Sequence, residues 1–256
     1  MDPVTAITTT GTVLAVANKL LGKTAEAISG DIANLYEIGR DKIVVTAVRK
    51  TTNMDDGKTA NLRVARDVFF NGSFTDEAIC AEYFGGILAS SRSVDGKDDL
   101  GVFYTDIIKS LSSSQLKLHY IIYHSLNILW LEMPAEKPRP NAGMGTETGQ
   151  YNIWFSTSEL RTLGVDIDKD IIALHSKELV GGGYEALGHK LENGTEVFYT
   201  KVGPTTLGMQ LYAVAHNKLS VWRNLPLEDF GEFPDIRTPV FFAFSLDDFL
   251  RKGKLN

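Results

Sequence analysis

Between residues 133 and 149 the chain carries three prolines (Pro134, Pro138, Pro140) and three glycines (Gly143, Gly145, Gly149). Proline removes a backbone donor and fixes φ, while glycine weakens helical order, so no long regular element can run through this stretch. It divides the sequence into two textures. Before it, apolar residues recur at helical spacing; after it, helical and strand-like runs mix. The division predicts an α+β chain: a mostly helical domain over residues 1–133, a linker at 134–150, and a smaller winged-helix-like α/β-hairpin module over 151–256.

Composition narrows the class. Of 256 residues, 43% are hydrophobic and 10% aromatic, more than a disordered chain carries. The formal net charge of −6 is the wrong sign for a dedicated nucleic-acid binder, which needs a basic surplus to neutralise phosphates. Cys80 is the one cysteine, so neither an intramolecular disulfide nor a cysteine-based zinc site can form. Its neighbours Ala78, Ile79 and Ala81 mark it as a buried structural residue. The opening Met1-Asp2-Pro3 lacks the cationic start and leucine-rich core of a secretory leader, which makes a cytoplasmic location the expectation.

Residues 4–18 are uncharged but only fifteen long and rich in threonine, short of the ~20 apolar residues of a spanning helix. Ile7, Leu14, Leu21, Ile28 and Leu35 recur every seven residues. The row between them (Val4, Gly11, Asn18, Ala25, Ile32) is mostly small or apolar. Such a seam suits helix packing. It predicts one or two helices over residues 4–39, broken near Gly22 or Gly30. Three uses are open: burial in the protein's own core, a homo-oligomeric interface, or insertion of residues 4–35 into a membrane.

Residues 42–50 form an apolar run that periodicity leaves undecided between helix and strand, and 51–59 read as a loop. A helix is expected over 62–70, with Leu62, Ala65, Val68 and Phe69 on its inner face. An amphipathic helix is expected over 73–91, capped by Thr75 or Asp76. Gly96 centres a turn at 92–99, and helices follow at 100–111 and 115–131.

Beyond the linker, 158–163 and 169–179 read as helices. Residues 184–191 and 195–202 read as strands flanking Glu192-Asn193-Gly194, and Asn-Gly between such runs is a strong hairpin signal. Pro204 fits the first turn of a helix continuing through Leu207, Leu211 and Val214. Residues 240–249 read as a final strand or packed extension. The cations nearby (Lys177, His189, Lys190, Lys201, Lys218) are cancelled by Asp166, Asp168, Asp170, Glu178, Glu185, Glu192 and Glu196. DNA binding is therefore disfavoured and protein contact preferred.

Chemistry-bearing patterns are sparse. His119 and His124 are five apart, which on a helix sends them to diverging faces. Asp166, Asp168 and Asp170 imitate the start of a calcium loop, but Ile171 stands where glycine is needed and Lys177 where glutamate is. Asp95, Asp98 and Asp99 share a turn with Ser91, Arg92 and Ser93; a cation or phosphate site competes there with helix capping and an Arg–Asp tether. P-loop, GxGxxG, GxSxG and HExxH patterns are absent from the sequence. No catalytic, cofactor-binding or metal-ligating residue is assigned.

Three segments together resemble a known family. Residues 20–49 (LLGKTAEAISGDIANLYEIGRDKIVVTAVR), 76–91 (DEAICAEYFGGILASS) and 202–217 (VGPTTLGMQLYAVAHN) are similar, in order, to the opening, central and final helices of the bacterial abortive-infection alpha (Abi-alpha) family. Lys23 stands where that family often has proline, and residues 133–149 have no counterpart in it. The resemblance implies a role in limiting phage through arrest or death of the infected cell, with no active-site residue carried over. The expected function is therefore anti-phage defence through a protein partner or self-association, a phage component being one candidate partner. A membrane-perturbing effector, a winged-helix transcriptional regulator and a hydrolase centred on Asp95–Asp99 are the alternatives.

Overall fold

The structure, a computed structural model, describes residues 24–75, 77–181, 184–190, 194 and 196–253. The chain mixes helices with two small antiparallel sheets, an α+β architecture.

Helix α1 (Thr24–Arg49) runs 26 residues without a break. Gly30 therefore interrupts nothing, and the undecided run at 42–50 is mostly the last turns of this helix. The seam at residues 4–23, and the break at Gly22, lie outside the described residues. Gly39, Ile43, Thr46 and Ala47 are buried at helical spacing, which is why helix wins over strand here. Gly39 continues the row of small residues, and for a packing reason. A Cβ at this position would lie 2.2 Å from the Ser73 carbonyl oxygen.

Helix α2 (Leu62–Gly72) starts at Asn61, whose Oδ1 accepts from Arg63 N at 2.9 Å and Val64 N at 3.2 Å. Its buried face is Val64, Val68 and Gly72, with Ala65 and Phe69 packed beside them. Leu62, expected inside, is exposed: it occupies the first helical position, off that i, i+4, i+8 row. Helix α3 (Ala78–Ser90) is shorter than expected and not amphipathic, since every residue from Ile79 through Ala89 is buried. Thr75 Oγ1 accepts Glu77 N at 3.2 Å instead of capping the helix directly, and Asp76 lies outside the described residues. Cys80 is buried, as its neighbours predict.

Strands β1 (Thr59–Ala60) and β2 (Arg92–Ser93) form a two-residue antiparallel bridge. Helix α4 (Gly101–Ile108) leads to helix α5 (Ser113–Leu131), which opens with a reciprocal capping box between Ser112 and Gln115. Its buried residues run from Leu116 to Trp130 on nearly all sides.

Residues 133–149 are largely exposed but anchored at a few points. Ala142 and Thr148 are buried, Arg139 Nη2 donates to Met133 O at 2.7 Å, and a short helix α6 (Gly145–Thr148) forms inside the stretch. The same hydrophobic core continues across it, joining Ile43, Ile79 and Leu126 to Phe155, Leu174 and Leu211. The expected boundary at 134–150 thus crosses a shared core.

Strand β3 (Ile153–Ser156), helix α7 (Thr157–Thr162) and helix α8 (Ile167–Ser176) precede the hairpin of β4 (Glu185–Lys190) and β5 (Glu196–Val202). The hairpin register runs from Glu185 opposite Lys201 to Lys190 opposite Glu196. Helix α9 (Thr206–Ala215) is capped by Thr205 Oγ1, which accepts Gly208 N at 3.0 Å. Pro204 therefore precedes the cap, where its carbonyl-bearing backbone bridges Val180, instead of sitting in the first turn. A 3₁₀ turn (Leu219–Asn224), strand β6 (Phe242–Ala243) and helix α10 (Leu246–Gly253) close the described chain. The second sheet has the antiparallel order β4-β5-β3-β6. Where α3 and α9 cross, a Cβ on Gly86 would fall 2.1 Å from Ala215 O, so only glycine permits that approach.

Candidate functional site

Two places concentrate polar side chains: a sealed cluster among α1, α3, α5 and α9, and an open groove above the turn at 92–99.

Lys50 ends α1 inside the first of these. Its Nζ lies 2.6 Å from Glu82 Oε2 and donates to Glu82 O and Ala215 O at 2.7 Å each, with the Phe233 ring 4.2 Å below. Arg49 pairs with the other Glu82 oxygen. Burial pulls the Lys50 ammonium down to about 8, against the Glu82 charge that holds it up. Two carbonyl acceptors, a carboxylate in ion-pair contact and a ring face enclose this cation. Its work is to pin α1 to α3 and α9. Neither residue was assigned a role from sequence, yet one signal existed: Glu82 is the lone charge in AICAEYFGGILA, and a carboxylate buried there demands a cation.

The histidines of α5 diverge, as the spacing predicts. His119 Nδ1 meets the Tyr83 hydroxyl, while His124 stacks on Tyr120 and faces the Tyr212 hydroxyl at 3.4 Å. A third imidazole, His216, lies between Tyr212 and Phe233. Desolvation lowers His119 to about 3 and also lowers His124 and His216. Tyr123 Oη donates to Leu179 O at 2.6 Å and accepts Thr205 N at 2.9 Å. The cluster is a wall of neutral rings holding α5 between α3 and α9. Among the described residues no group of three or more His, Cys, Asp or Glu is placed to hold a metal ion.

The groove, of about 570 Å³, is lined by Thr52, Asn53, Asp56, Arg92, Asp98 and Ser220 among others. Its sequence-expected residues are engaged in shaping the loop. Arg92 Nη2 reaches Asp56 at 2.6 Å and Lys58 O at 3.1 Å, so the tether is to Asp56, not to the acids of its own turn. Asp95 Oδ1 accepts Lys97 N and Ser93 Oγ, Asp98 Oδ1 accepts Leu100 N, and Asp99 pairs with Arg63 at 3.2 Å. Ser91 Oγ donates to Leu88 O. Asp166, Asp168 and Asp170 likewise serve α8. Asp170 Oδ2 accepts Asp166 N at 2.9 Å and its Oδ1 accepts Ser114 Oγ at 3.0 Å, while Asp166 and Asp168 pair with Lys169 and Arg161.

Apolar side chains stand exposed in two other places. On α1, Ile38, Val44, Val45 and Val48 face outward, with Val45 67% exposed. Phe74 lies tilted against Tyr36 of α1 and edge to face with Phe70, which is 70% exposed. On the hairpin, Leu187 and Phe198 are half exposed above a shallow groove of about 200 Å³ that Ile167 and Thr157 also line. No helix among the described residues is long and apolar enough to cross a membrane. Most of the segment considered for insertion, residues 4–23 of 4–35, lies outside them. Compared with known protein families, curated proteins and solved structures, the chain matches none.

Proposed function

We propose that this chain is a cytoplasmic bacterial phage-defence protein of the abortive-infection type that acts by binding protein, either a partner or its own copies. The observation that carries the reading is the outer face of α1. Ile38, Val44, Val45 and Val48 are apolar on the side opposite Ile43 and Ala47, which already fill the core. Glu37 and Asp41 are exposed among the outer residues, so the face offers apolar side chains interspersed with carboxylates, a mixture that suits another protein's surface. The resemblance of residues 20–49 to the opening of the Abi-alpha family lies over this same helix.

Phage plating on cells producing the full chain tests it. Val45→Asp with Val48→Asp is expected to leave the circular-dichroism spectrum unchanged and abolish protection. Loss of a central apolar contact weakens such binding by about thirtyfold, or ~2 kcal/mol. Full protection by this variant overturns the reading.

A winged-helix regulator is the second reading, supported by one topological fact. Helices α7 and α8 lie between β3 and β4, and the strands are ordered β4-β5-β3. Outward-facing on α8 are Asp168, Lys169, Ile172 and His175, a set that favours a protein surface over phosphates. Salt-sensitive binding to duplex DNA at low ionic strength would favour the regulator; its absence removes it.

A further inference from the structure

We infer that strand β4 is a self-complementary edge that pairs antiparallel with β4 of a second copy, joining two four-stranded sheets into one of eight. The inference rests on the self-association form of the proposed function and gives it a site distinct from α1. β4 is the edge of the order β4-β5-β3-β6, and Ala186 to Lys190 are all exposed. The opposite edge, β6, is two residues long. Protected edges carry proline, bulges, inward charges or lysine, and the one lysine of β4, Lys190, stands at its end. β4 (EALGHK) has no proline and pairs with β5 without a bulge over six consecutive residues.

Two-fold symmetry restricts the register. Antiparallel copies of one strand turn about an axis normal to the sheet, so facing residues share a face and their numbers sum to an even value. With Leu187 opposite Leu187 of the second copy, Glu185 faces His189 and Tyr184 faces Lys190, each twice. That alignment puts apolar on apolar at the centre, a carboxylate against an imidazole, and an ammonium against a ring. The neighbouring even register centres Gly188 and sets Leu187 against His189 and Lys190 against Ala186, with none of this complementarity. Leu187 is half exposed and Glu185 Oε1 is held in place by Lys201 Nζ at 2.8 Å, so both are presented by the hairpin as it stands.

Sedimentation velocity of the full chain at about 100 µM, where a micromolar dimer is populated, is the test, alongside oxidation of single-cysteine additions. A dimer that Leu187→Glu disperses and His189→Glu weakens, with Leu187→Cys cross-linking between copies, supports the pairing. Both substituted side chains are exposed, so folding is preserved and checked by circular dichroism. Native Cys80 does not compete: burial pushes its thiol up to about 11. A dimer unaffected by Leu187→Glu, or cross-linked through Val45→Cys and not through Leu187→Cys, overturns β4 pairing while leaving self-association through α1. A wild-type monomer also overturns it and leaves the proposed function to a different protein partner.

Discussion

Helices α1 and α3 pack against each other, yet they solve opposite problems. α3 is covered on every side, and its single acid, Glu82, is neutralised by Lys50 and Arg49 reaching from α1. From Tyr36 onward α1 is covered on one side, and the other carries Ile38, Val44, Val45 and Val48 into solvent among charged residues. In α3 each side chain is accounted for by the fold. On α1 the buried row does that work, and the outer row adds nothing to the core. The difference separates residues kept for stability from residues available for contact, and substitutions can be chosen to break it.

The largest effect is expected at the ion pair between the two helices. Glu82→Ala strands a buried ammonium and costs about 3–5 kcal/mol in urea unfolding. Lys50→Met with Glu82→Leu, which removes both charges together, is expected to recover most of that loss. If the single change cost no more than the double, the pair would not be holding α1 onto α3.

Acid probes the same interior. In the folded chain His119 stays neutral down to about 3, because burial opposes its charge. The unfolded chain takes up that proton near pH 6.5, so it binds more protons than the folded chain between these values. Stability is therefore complete above pH 6.5 and falls as pH drops from 6.5 toward 3. His124 and His216 are shifted in the same direction. His119→Gln keeps an acceptor for Tyr83 and removes one proton from the balance. Its stability should fall less steeply with acid, by up to about 1.4 kcal/mol per pH unit. An unchanged slope would mean that this ring is not sealed.

How much of this was legible depended on whether a signal was local. The β4–β5 hairpin followed from Asn193-Gly194 between two strand-like runs, and the diverging histidines followed from helical geometry. Cys80 was placed by its immediate neighbours. What failed needed the neighbours in space. Periodicity in α3 looks amphipathic when only its own residues are counted, but α1, α2, α4, α5 and α9 close over it. Gly30 looks like a break, yet the helix runs through it. Residues 133–149 look like a linker because proline and glycine bar a long helix or strand there. They do not bar packing, and Arg139, Ala142 and Thr148 pack. Lys50 is one polar residue among several at a helix end, and only the fold brings it to Glu82.

The smallest effect on stability should come from the outer face of α1, and that smallness sharpens the comparison. Val45 and Val48 are exposed, so replacing both with threonine alters little buried area. The cost in urea unfolding should stay within about 0.5 kcal/mol. Threonine keeps the β-branched shape and hence the local helix geometry, while replacing one methyl at each of the two positions with a hydroxyl. Under the proposed defence role, protection against phage should fall although the fold does not. The reverse pattern, a loss of several kcal/mol with protection intact once the protein is folded, would mean that the outer valines belong to a core that α1 shares within its own chain. The contrast with α3 would then disappear.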